Sequence, residues 1–254
     1  MKRLFLLPAL LLALPACDPA SLAGKMHRSK PPVTSCDSYS GPGCKFDKSP
    51  LRVLPEPVVL PKRAYTFFPT AERLQFVDAA GKTWVAPDRT LTDGASIPKI
   101  FVSIVGDPTS PEFINAAAVH DAYCGIGNET GSMYHQARWE DVHKMFYDGL
   151  VVGGAEPLTA KLMFAAVWMG GPRWDTARTL AHVPVAERQQ GMRRAKAFIQ
   201  AQNPTLDELL QYLQREETRL LSQFPRFRAS PDAPESSSHE EIQEEEPYDP
   251  STGL

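Results

Sequence analysis

The spacing of the apolar residues changes once along this chain, and that change limits the folds open to it. In three short runs, 64–69, 73–78 and 82–87, apolar and polar side chains partly alternate, and turn residues such as Ala80-Gly81 separate the runs. A period of two places every second side chain on one face of a strand. After Pro111, a residue suited to the first helical position, apolar residues recur three and four apart. Helices are predicted over 112–124, 134–150, 157–169, 185–200 and 206–223. Strands first and helices after predict an α+β domain, a small antiparallel sheet followed by a helical bundle, rather than a wound α/β sheet.

Punctuation along the helices agrees with this order. Gly170-Gly171-Pro172 closes the third helix, and Thr205 with Glu208 forms a capping box for the last. Leu206, Leu209, Leu210, Leu213 and Leu220 make an apolar stripe suited to the core or a partner helix. No internal repeat is present.

Neither end of the chain is expected to join the core. Lys2 and Arg3 precede an apolar run over 4–14, broken only by Pro8. The run is too short to span a bilayer and suits the h-region of a signal peptide. Leu14-Pro15-Ala16-Cys17 resembles a bacterial lipobox, although Pro15 is unusual there. Residues 1–16 are therefore expected to be a lipoprotein signal peptide and Cys17 the lipid-bearing residue, which makes a membrane the expected partner. The alternative is an ordinary secretory signal cut after Ala23. Asp18 resembles an inner-membrane retention signal of enterobacterial lipoproteins. No later stretch offers about 20 continuous apolar residues, so no transmembrane helix is expected in the mature chain.

At the other end, 229–254 is rich in Pro, Ser and Glu, with eight acidic residues and no Lys or Arg. It is predicted to be a disordered acidic tail, because so little apolar surface cannot offset its ordering entropy. The chain carries −3 overall, so the remainder stands at +5. That mild charge, with no basic stripe of interleaved aromatics, argues against nucleic acid.

Residues 17–62 are rich in Pro, Ser and Lys and read as a tether, leaving 63–228 as the folded domain. Export to an oxidising compartment would favour a Cys36–Cys44 disulfide around Gly41-Pro42-Gly43. Cys124 is then left over, as a buried small hydrophobe or, less readily, a nucleophile.

The candidate chemistry lies in 92–143. Phe113, Ala116, Ala117, His120, Asp121 and Cys124 share one helical face, and Ala116 with Ala117 allows another helix close. On the next helix Trp139, Val142, His143, Phe146, Gly149 and Leu150 do the same, so His143 also points inward. His120, Asp121 and His143 can serve in three ways. They can bind a divalent metal, activate water through a His–Asp pair, or form a satisfied network with no chemistry. Asp93 and Ser96, in Thr92-Asp93-Gly94-Ala95-Ser96-Ile97-Pro98, lie in a loop read as standing beside this site or as satisfying its own turn. The Ser96 context is not the elbow of a serine hydrolase.

Thr92 to Pro98, followed by Ala117-Ala118-Val119-His120-Asp121-Ala122-Tyr123 and later by Gly171-Pro172-Arg173-Trp174, resembles the domain-of-unknown-function 1353 family of phages and bacteria. The resemblance covers roughly 52–175 and implies no settled activity. Many members carry an aspartate three residues before a phenylalanine on the second helix. Here that register, counted from Phe146, falls on His143, with Asp141 two residues earlier. A looser likeness links His120-Asp121-Ala122-Tyr123-Cys124 to the His-Asp helix of secreted phospholipases A2, with the Tyr and Cys order exchanged. Two functions follow as expectations: a lipoprotein with a hydrolytic, metal-assisted site acting in the cell envelope, or a non-enzymatic envelope or phage-derived interaction protein whose His-Asp pair is structural. No residue selects a substrate.

Overall fold

The computed structural model describes residues 35–226 except 40, 62–65, 95–96 and 106–109. Cys17, Ser96, the signal segment and the acidic tail lie outside the described residues. Among the described residues, six short strands and six helices make an α+β fold. The strands are β1 (Lys45–Phe46), β2 (Val58–Val59), β3 (Thr66–Pro69), β4 (Leu74–Val77), β5 (Thr83–Ala86) and β6 (Leu91–Thr92).

The three expected strands form, but not as one sheet. β4 and β5 make an antiparallel hairpin with β1 on its other edge, while β3 lies between β2 and β6 in a second antiparallel sheet. The hairpin turn explains its own register. The Asp78 carboxylate accepts from the amides of Ala80 and Lys82 and from the Trp84 indole, and Gly81 takes a positive φ of 78°. Phe76, Trp84 and Ala86 are thereby buried.

The expected tether also differs from what is found. Described residues from 35 to 61 contribute β1 and β2 and are fastened to the helices. Cys36 and Cys44 are joined by a disulfide. The Cys36 amide donates to Asp148, the Tyr147 hydroxyl to Asp37, and the Leu51 amide to Asn115. Composition shows the Pro and Ser of this segment but not these partners, which come from residues more than 60 positions away.

The helices are α1 (Lys99–Val105), α2 (Pro111–Cys124), α3 (Trp139–Gly153), α4 (Pro157–Gly170), α5 (Val185–Gln202) and α6 (Leu206–Gln223). α3 begins five residues later than its expected start at 134, and α1 is an addition to the predicted helices. α2 and α4 are buried nearly all round rather than along one stripe. A helix apolar on every side belongs in the centre of a domain. α2 lies among β4, β5, β6 and α3, and α4 among α1, α3, α5 and α6. Glycine sets the α2–α3 spacing: a Cβ at Gly149 would stand 2.9 Å from that of Ala116, and one at Gly153 would stand 2.1 Å from the Glu112 carbonyl oxygen. The capping box of α6 is present, with Glu208 accepting from the Thr205 amide at 2.8 Å. Among the described residues no helix is long and apolar enough to cross a membrane.

Candidate functional site

His120 and Asp121 occupy the last turn of α2, and His143 the second turn of α3. All three are closed from solvent, at 3%, 7% and 0% exposure. The His120 and His143 rings lie 5.3 Å apart between centroids, and Phe146 packs 5.0 Å from His120. His120 Nδ1 stands 3.8 Å from Asp121 Oδ1.

The structure adds a fourth member. Cys124 lies one helical turn after His120, and its Sγ is 3.5 Å from His120 Nε2. An imidazole nitrogen from each histidine and the Cys124 sulfur all lie within 4.8 Å of one another. Among the described residues these are the three side chains whose donor atoms converge; Asp121 flanks them. The exchanged Tyr–Cys order accounts for this. Tyr123 turns to the sheet, where its hydroxyl accepts from the Val85 amide and its ring meets Trp84, so Cys124 falls beneath His120. The signal is legible as an i, i+4 pair, but a lone cysteine in an apolar helix reads first as core.

Among the described residues, neither ring nitrogen of His143 has a hydrogen-bond partner. Burial, the charge of His120 and that of Arg173 push its pKa well below the usual histidine value. His120 goes the other way. Burial opposes its charge, but Cys124 and the Asp121 carboxylate outweigh that and raise its pKa to about 10.

His143 is buried beside His120, whereas Asp141, two residues earlier on α3, is exposed. Asp93 is half-buried beyond β6, where Gly94 takes a positive φ of 81°. Asn128 ties that strand to α2: its amide oxygen accepts from Leu91, and its nitrogen donates to the carbonyls of Leu91 and Asp121.

The turn after α4 closes the site from above. A Cβ on Gly171 would come within 3.1 Å of the His143 ring. Arg173 lies over the Trp139 ring, whose edge meets His143, and pairs with Glu217 of α6 at 3.1 Å. A His beside a carboxylate can act as a general base only where water reaches it. A shallow surface hollow lies on α6, beside Gln211, Gln214, Arg215 and Thr218.

Residues 68–167 match the family described as "Protein of unknown function (DUF1353)". The match takes in His120, Asp121, Cys124 and His143 and stops before α5 and α6. Over 99 residues the chain is 40% identical to "Uncharacterized protein y4iH" of Sinorhizobium fredii (strain NBRC 101917 / NGR234), covering 39% of this chain and 38% of that one. Over 107 residues it is 35% identical to "Uncharacterized protein y4jT" of the same organism, covering 42% and 30%. The aligned region thus spans well under half the length of these curated relatives. No solved structure matches the chain.

Proposed function

We propose that this chain is an exported, membrane-anchored envelope protein that works through its surface, and that the cluster around His120 is an internal tie between α2 and α3. The observation that carries the second half is the exposure of His120, Asp121 and His143, none above 7%. A hydrolytic site must admit substrate and water to its base, whereas a buried polar cluster fixes which faces of two helices meet. The first half is supported by the signal-like run before Cys17 and by the Cys36–Cys44 disulfide, a bond that persists in oxidising compartments.

Two variants test the two halves. Cys17→Ala should abolish palmitate labelling and release the protein from membranes; a mature N-terminus at Gly24 would remove the lipid anchor from the proposal. Asp121→Asn keeps the volume but deprives buried His120 of its charged neighbour, at a cost of about 1–3 kcal/mol. Thermal melts should fall by several degrees, since about 1 kcal/mol moves a domain of this size by roughly 2–4 °C. An unchanged melting temperature with loss of a cellular phenotype would favour the hydrolytic reading.

A further inference from the structure

Buried histidine nitrogens are normally satisfied by protein or water. His143 departs from this: it is wholly buried, and neither ring nitrogen has a partner among the described residues. Among the described residues, two aromatic rings and a glycine pack around it. Trp139 and His120 lie at centroid distances of 5.4 and 5.3 Å, and Gly171 comes close enough that a Cβ would touch the imidazole.

The polar groups that do converge with His143 are a second imidazole and a thiol. We propose that His120, Cys124 and His143 form a three-ligand centre for a thiophilic transition-metal ion, zinc in the first instance. Two imidazoles and one thiolate suit zinc and exclude calcium and magnesium, which take oxygen ligands. Tetrahedral zinc holds nitrogen and sulfur ligands about 3.3–3.7 Å apart, given bond lengths of roughly 2.0–2.3 Å. The observed donors lie within 4.8 Å of one another, so modest rotations of side chains already facing each other close the set.

Asp121 takes a different role from a ligand. His120 presents Nε2 to Cys124 Sγ at 3.5 Å and Nδ1 to Asp121 Oδ1 at 3.8 Å. A carboxylate behind one nitrogen of a ligating imidazole fixes its tautomer and orientation while the other nitrogen holds the metal. Asp121 is a positioning residue of this kind. The metal would join the end of α2 to the start of α3, which deepens the internal-tie reading and rests on it.

Metal affinity and helix tie can fail separately, so the test reads metal directly. The full chain, prepared without chelator, is analysed for bound metal. The apo form is then titrated with zinc against a chromophoric chelator and, separately, with cobalt(II). Wild type should retain zinc in a stoichiometric amount, gain thermal stability from it, and show a thiolate-to-cobalt absorption band. Cys124→Ser, a close isostere, should lose the band and at least tenfold in zinc affinity. Asp121→Asn should keep the band with zinc affinity weakened by roughly 10–100-fold. Cobalt spectra of the wild type need no variant, so a Cys124→Ser protein that fails to fold leaves the test intact. Absence of the thiolate band in wild type, or equal zinc affinity in folded Cys124→Ser, overturns the proposal. The helix tie would still be judged by the Asp121→Asn melts in metal-free buffer.

Discussion

The backbone amide of Cys36 donates a 2.7 Å hydrogen bond to the carboxylate of Asp148, 112 residues later in the chain. Asp148 is fully buried in α3, so the bond anchors the disulfide loop to the helix that carries His143. Tyr147, next to it, reinforces the contact through its hydroxyl to Asp37.

The disulfide should therefore stabilise the domain and not merely decorate a leader. Closing a loop of this length removes about 2–3 kcal/mol of denatured-state freedom. Exported protein mapped without reductant should yield a linked Cys36–Cys44 peptide. A Cys36→Ser, Cys44→Ser double variant should melt roughly 4–12 °C lower. Recovery of both residues as free thiols, or an unchanged melting temperature, contradicts this.

Asp148 itself predicts a pH dependence of defined sign. Burial raises its pKa from 3.8 to about 6, against the pull of Lys144 and the Cys36 amide and with help from Asp78. A folded-state pKa above the unfolded one means the native state binds the proton more tightly. Its stabilising effect is complete below the unfolded value and is lost as pH rises through the folded one. Asp148→Asn retains an acceptor for Cys36 but does not titrate. Relative to this variant, wild type should lose about 2–2.5 kcal/mol between pH 4 and 7, since each tenfold gain in proton affinity on folding is worth roughly 1.36 kcal/mol and pH 4 already lies just above the unfolded value. Urea melts of both proteins across that range measure it. A stability difference that stays constant with pH would mean Asp148 does not titrate in this window.

The α2–α3 contact offers a steric test. A Cβ at Gly153 would meet the Glu112 carbonyl oxygen at 2.1 Å, and backbone cannot yield as a side-chain tip can. Gly153→Ala gains helix propensity of about 0.8–1 kcal/mol at most. The clash should exceed that, as overpacking costs typically about 1–3 kcal/mol, and the melting temperature should fall. A rise would show that α2 and α3 can separate without cost.

What the sequence disclosed and withheld follows from the range of each signal. The capping box at Thr205, the positive φ at Gly94 and the inward faces of His120 and His143 depend on residues within one or two turns, and all are legible in the chain. The two-sheet arrangement is not, because β1 and β2 are two-residue strands whose pairing is decided by partners across the fold. Cys124 reads as core when taken alone and as a ligand only together with His120, four residues before it. Arg173 follows the Gly170-Gly171-Pro172 stop that the sequence shows, but its burial against Trp139 and Glu217 depends on α6, more than 40 residues further on.

The Arg173–Glu217 pair joins the turn after α4 to α6, and both residues lie beyond the residues matched by the family. The Arg173 and Glu217 side chains are only 2% and 4% exposed, and Arg173 also donates to the Trp168 carbonyl at 2.7 Å. Removing one partner of a buried pair strands the other, at about 3–5 kcal/mol. Arg178 also reaches Glu217, at 3.0 Å, so Arg173→Met should fall short of the full penalty and cost about 2–3 kcal/mol. Arg178 is 60% exposed at its side chain and leaves the Trp139 contact unreplaced. Glu217→Leu strands Arg173 itself and should cost more. The double variant Arg173→Met, Glu217→Leu should recover much of the summed loss, because a buried ion pair replaced by apolar groups is often neutral. Equilibrium unfolding of the four proteins gives the coupling directly. Strict additivity would mean that α6 does not hold the turn over His143.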